Sequence, residues 1–169
     1  MLRNDFFINT MRFVILVLIQ VLLLNHINFL GYINPNLYIL FILLFPLKGN
    51  KSLLIFLSFL LGLTIDIFED SGGIHAAACL FIGFIRPVVL KFSFGVSYEY
   101  NMIKIHRSEL NKRLIYVTLM VFIHHFILFS LETFNLNHIL LVLKYTLFSG
   151  IFSIVLILGT ITLFSRNLK

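Results

Sequence analysis

The chain has 169 residues, of which 60% are hydrophobic, 15% aromatic and only 12% charged, with a mean hydropathy of +1.03. Soluble domains carry about 25% charged residues, so the apolar excess must face lipid, which excludes a soluble globular domain and a disordered chain. The net charge of +6 would suit nucleic acid, but the cations are placed as a topology signal, and the single cysteine, Cys79, excludes a disulfide framework or a cysteine-built metal centre.

A helix that crosses the hydrocarbon layer needs roughly 20 apolar residues. Six segments of this one-domain chain are candidates, at about 11–30, 35–47, 52–68, 72–90, 114–134 and 139–164. The reading is an all-α integral membrane protein, a six-helix transmembrane bundle occupying residues 1–169. The first segment is too long for a cleaved signal and lacks a small-residue cleavage site, so it reads as an uncleaved anchor. It carries Gln20, Asn25, His26 and Asn28 in its second half. The second segment is short and bounded by Pro35 and Pro46. Two real crossings, with tilt or local thinning absorbing the mismatch, are favoured over a re-entrant pair with the third segment.

The charges follow the spans. Arg3, Arg12, Lys48, Lys51, Arg86, Lys91, Lys104, Arg107, Lys112, Arg113, Arg166 and Lys169 fall at one set of ends, and Lys144 alone falls elsewhere. Glu69, Asp70 and Glu132 occupy the opposite connections. By the positive-inside rule both termini are cytoplasmic.

The densest polar cluster joins the third and fourth spans. Ser58 with Gly62, Gly72 with Ala76, Gly73 with Ala77 and Cys79 with Gly83 are small-residue pairs four apart, the spacing that lets helices approach closely in lipid. Asp66 lies in the last turn of an apolar helix. It is either a partner-docking or ligand-facing carboxylate, or an interfacial acid bonded to the backbone N–H groups of the following turn, with Ser71 capping the fourth helix. Asp66, Glu69, Asp70 and His75 match no metal or phosphotransfer spacing, so no enzyme and no cofactor are expected.

This segment resembles a known family. The pattern G-L-x-x-D-x-F-x-x-S-x-G-x-x-A, carried here by Gly62, Leu63, Asp66, Phe68, Ser71, Gly73 and Ala76, is similar to that of the rod shape-determining protein MreD. Length, six-span hydropathy and cytoplasmic termini agree across the whole chain. Gly72-Gly73 departs from the Pro-Leu-Gly of many members. The resemblance implies a non-enzymatic scaffold of the bacterial inner membrane, in the cell-elongation machinery that builds peptidoglycan. Its partners would be an MreC-like protein and, through it, the actin-like MreB and the RodA–transpeptidase pair. Gly62, Asp66, Gly73 and Ala76 would form the docking positions. The family's fold is also similar to the substrate-binding subunits of energy-coupling-factor transporters, so the alternative is a small solute- or vitamin-binding transporter subunit. Those subunits use an Ala-x-x-x-Ala face on their first helix, and no Ala or Gly occurs here from Met11 to Leu30.

His124 and His125 lie halfway along the fifth span. Neighbouring helical residues point about 100° apart, so the two do not readily share a metal. A proton relay or an inward-facing polar contact is one reading; the favoured one has one histidine hydrogen-bonded to a neighbouring helix, with Asn25 and His26 as candidate partners, and the other facing a small cavity. The connection 91–113 opens with strict alternation from Phe92 to Met102, which reads as an extended, aromatic-sided segment. An interfacial hairpin on anionic lipid is preferred there over a docking strand. Arg86 is expected to snorkel to the cytoplasmic surface, and Pro87 to kink the helix end.

Overall fold

The computed structural model describes residues 3–29, 31, 33–47, 49–95, 105 and 108–166, with side chains from residue 7 onward to 163, apart from residue 136. The described residues form six α-helices: α1 (Arg3–Leu22), α2 (Ile39–Leu44), α3 (Lys51–Glu69), α4 (Ile74–Phe94), α5 (Leu110–Thr133) and α6 (Ile139–Arg166). Short 3-10 turns at Leu24–His26 and Leu136–His138 follow α1 and precede α6. Five of these helices are long and apolar enough to cross a membrane, which makes the chain an all-α, multi-pass membrane protein.

Helices α3, α4, α5 and α6 pack in chain order, each against the next, and α1 lies against α3 and α2. The α3–α4 seam is the closest. A Cβ added at Gly62 would sit 2.3 Å from the His75 carbonyl oxygen and 2.5 Å from Ala76 Cα, so the α4 backbone occupies the space a side chain would need. Further along the seam, Gly83 of α4 faces the Ser58 side chain of α3, whose Oγ would lie 2.7 Å from an added Cβ. Lipid offers no hydrophobic drive for helix association, and close backbone approach supplies dispersion contacts instead.

The second segment departs from the expected crossing helix. Only six of its residues are helical, about 9 Å of rise, and residues 33–38 and 45–47 are irregular or turn-like. Tyr38, Ile39, Ile42 and Leu43 are wholly buried, and Phe41 and Phe45 are 1% exposed. The segment runs through the middle of the bundle, touching α1, α4 and α5. Its apolar residues thus face protein on all sides, and the long helices shield it from lipid. The interrupted helix has a simple cause: Pro35 disfavours helical geometry at Asn34, and Pro46 pushes Phe45 to φ −57°, ψ 142°.

Three other boundaries move. The first helix begins eight residues earlier than expected and stops at Leu22, before the polar run Asn25–Asn28. Helix α4 continues through Pro87 to Phe94, and α5 begins at Leu110. The expected alternation from Phe92 to Met102 is therefore helical up to Phe94, and its remainder at 96–102 lies outside the described residues.

Candidate functional site

Non-helical backbone inside a bundle needs hydrogen-bond partners, because lipid has none to offer. The segment around α2 finds them on side chains, and these define the polar interior. At its C-terminal end three successive carbonyls are held by two arginines. Arg86 Nη2 donates to the Leu43 carbonyl at 3.2 Å and also to that of Phe45, and Arg12 Nη1 donates to that of Leu44 at 3.2 Å. Arg86 Nε also donates to the Tyr116 hydroxyl at 3.0 Å, which in turn donates to the Leu43 carbonyl at 3.2 Å. A positive charge at a helix C-terminus meets the orphan carbonyls and the negative end of the helix dipole together. Arg86 is only 3% exposed, so it points inward; the expected snorkelling is replaced by capture of α2.

At the other end the partners are neutral. The Gln20 side-chain amide donates to the Pro35 carbonyl at 3.0 Å and accepts from the Leu37 N–H at 2.8 Å, acting as one missing unit of backbone. The Asn36 N–H donates to Ser153 Oγ at 2.9 Å. His125 Nδ1 faces the Val121 carbonyl at 2.8 Å and so carries the proton, which leaves Nε2 to accept from Ser153 Oγ at 3.1 Å and from Asn36 Nδ2 at 3.4 Å.

Beside this lies a chain of titratable groups. Glu69 Oε2 and His75 Nε2 are 2.9 Å apart, His75 Nδ1 and the Tyr38 hydroxyl 2.7 Å, and that hydroxyl and His124 Nε2 3.1 Å. Cys79 Sγ approaches His124 Nε2 at 3.8 Å. His124 Nδ1 is buried without a hydrogen-bond partner. Both histidines thus meet polar groups of neighbouring segments, where the sequence reading gave such a bond to one and a small cavity to the other, and the partners differ. Asn25 bonds Gln20 instead, and His26 is exposed.

The residues singled out between α3 and α4 come together at one junction. Asp66, 5% exposed, accepts the backbone N–H of His75 at 3.0 Å and of Ala76 at 2.8 Å, and Ser71 Oγ also donates to it. Asp66 thus caps α4 from the end of α3, the second of its two readings, whereas the helix N-cap itself is Gly73 and Ser71 does not fill it. Gly73 takes φ +97°, a left-handed conformation natural to glycine. Gly62, Asp66 and Ala76, expected as docking positions, are buried inside this junction, and Gly73 is half-buried. Among the described residues no group of three His, Cys, Asp or Glu side chains has metal-holding geometry. A cavity of about 340 Å³ lies away from the polar interior, at the α5–α6 turn, lined by Ser130, Leu131, Phe134, Asn135, Ile139 and Val142.

The roles of Gln20, Tyr38, Ser153 and Tyr116 were not foreseen. Gln20 and Ser153 carried a usable signal, since a polar side chain within an apolar run needs a partner. Comparison with family models, with curated proteins and with solved structures returns no match for this chain.

Proposed function

We propose that the chain is a non-enzymatic scaffold of the MreD kind, held in a bacterial inner membrane with both termini cytoplasmic. It binds an MreC-like protein and through it meets MreB and the RodA–transpeptidase pair of the cell-elongation machinery. The observation that carries this reading is the α3–α4 junction. The motif residues Gly62, Asp66, Ser71, Gly73 and Ala76 each contribute a distinct part of one rigid hairpin, either a close approach, a cap or a turn. A rigid hairpin is the kind of element on which a lateral binding face is built. The centre of the bundle is filled by Tyr38, Phe41 and Phe45, where a solute-binding subunit would need a lined cavity. The partition of cations and acids between the two sets of ends supports cytoplasmic termini.

The face offered for docking is the outer stripe of α4, where Phe81, Phe84, Val88 and Phe92 are 44%, 70%, 65% and 75% exposed at helical spacing. Photo-crosslinking residues placed at Phe84 and, as a comparison, at Leu147 of α6 test it in native membranes. The reading expects an MreC-like protein in the Phe84 adduct and several-fold less of it at Leu147. Adducts with lipid alone at Phe84, or equal yields at both positions, contradict it.

A further inference from the structure

We propose that the cavity at the α5–α6 turn seats one acyl chain of a bilayer phospholipid, gripped where that chain joins its ester. Protein interiors seldom leave a void larger than a water molecule, yet this one measures about 340 Å³. Its walls are Leu131, Phe134, Ile139 and Val142, with Ser130 and Asn135 as the polar members, and none of the six is charged. Water is a poor occupant of such a space, since an ordered water needs several polar partners. A charged ligand finds no counter-charge on the walls. Phe134 and Ile139 stand at the mouth, 87% and 42% exposed, whereas Val142 is 2% exposed. The cavity therefore opens on the outer surface between two spanning helices, and the neighbour on that surface is lipid.

The height of the cavity fits the ester region of a phospholipid. The rings of Phe129 and Tyr145 meet at 5.6 Å, which pairs α5 with α6 at that level. The cavity starts just beyond it, at Ser130 on one helix and Val142 on the other. Lys144, beside Tyr145, is exposed, and a lysine so placed runs its stem along lipid and holds its ammonium among the headgroups. Glu132 of α5 falls at the same boundary. Here a phospholipid passes from methylenes to ester carbonyls, and the lining suits both. The apolar walls take the methylenes. Ester carbonyls only accept hydrogen bonds, and the polar members can donate: Ser130 brings a hydroxyl, and Asn135, whose Oδ1 already accepts the Asn137 N–H at 3.0 Å, keeps its side-chain N–H groups to give. Phe134 takes φ +41°, a conformation bulky residues rarely adopt, and an aliphatic chain gives its exposed ring a surface to lie on.

The test uses the purified full chain in phosphatidylcholine vesicles that contain a small fraction of a phosphatidylcholine with a diazirine on one acyl chain, close to its ester. After irradiation, adducts are assigned to residues by mass spectrometry. The proposal expects Val142 to be labelled at least as strongly as Leu147, although the two are 2% and 48% exposed, because a chain passing over the outer surface reaches Leu147 alone. Val142→Phe, which fills the cavity, and Ile139→Phe, which narrows its mouth, should each lower the yield at Leu131 several-fold and leave that at Leu147 unchanged. Since the buried Val142 variant can fail to fold, the wild-type chain and Ile139→Phe, altered at a partly exposed position, decide alone. Labelling of Val142 weaker than that of Leu147, or labelling of Leu131 that survives Ile139→Phe, would each overturn the proposal.

Discussion

At the C-terminal end of α2 three carbonyls rest on two guanidiniums, whereas at its N-terminal side the backbone rests on an amide and a serine. Both regions answer the same demand, which is to satisfy irregular backbone away from water. They differ in the charge of the groups that answer it. Guanidinium keeps its charge at any ordinary pH, so the Arg86 end is fixed. The amide of Gln20 and the hydroxyl of Ser153 carry no charge, so the other end is held by neutral hydrogen bonds alone. A broken segment held by charged groups at one end and by neutral ones at the other is a different object from a sixth transmembrane helix, even though both carry the chain across the bundle.

The largest effect expected from any single change lies outside that contrast, at the seam both regions depend on. Gly62→Leu has to separate α3 from α4, because its Cβ falls on the His75 and Ala76 backbone. The cost should be about 4 kcal/mol or more, read as loss of folded protein in size-exclusion profiles. Next comes Arg86→Met, which orphans the Phe45 carbonyl and leaves the Tyr116 hydroxyl and the Leu43 carbonyl with only the bond between them. A destabilisation of about 2–4 kcal/mol is expected in thermal unfolding. Gln20→Leu removes the partners of Pro35 and Leu37 and should cost about 1–2 kcal/mol in the same assay. Ser153→Ala, which orphans the Asn36 N–H, should cost about 1 kcal/mol, the scale of hydrogen bonds within membranes. If the neutral end proves costlier to disturb than the arginine end, the contrast is reversed. The smallest effect is a gain: Phe134, 87% exposed with φ +41° after α5, should be relieved by Phe134→Gly by about 0.5 kcal/mol.

The long helices were legible because each needs only a run of apolar residues, and the expected 52–68 and 139–164 differ from α3 and α6 by two residues or fewer at any end. The error at α1 has a physical source. Residues 3–10 carry Arg3, Asn4, Asp5, Asn9 and Thr10, which lower hydropathy without opposing helix formation. The second segment misled for the opposite reason. Hydropathy measures transfer out of water and is equally high for a residue facing lipid and one facing protein, so Ile39 and Ile42 looked like any spanning residues. Pro35 and Pro46 were the usable warning. The α3–α4 junction was half legible: small-residue spacing pointed to close packing, but only geometry shows Asp66 turned inward onto the α4 N–H groups. Arg86 was misread because snorkelling is the default for a cation near a helix end, and its true partners, carbonyls some 40 residues earlier in sequence, leave no local trace.

The central claim is that residues 33–47 form the interior of the bundle and not a lipid-facing helix. It is tested most directly by labelling single-cysteine variants in native membranes with a lipid-soluble maleimide. Ile42→Cys, at a wholly buried position, should react at least about ten times more slowly than Phe84→Cys on the exposed stripe of α4. Equal reactivity at the two positions would place the segment against lipid and contradict the account.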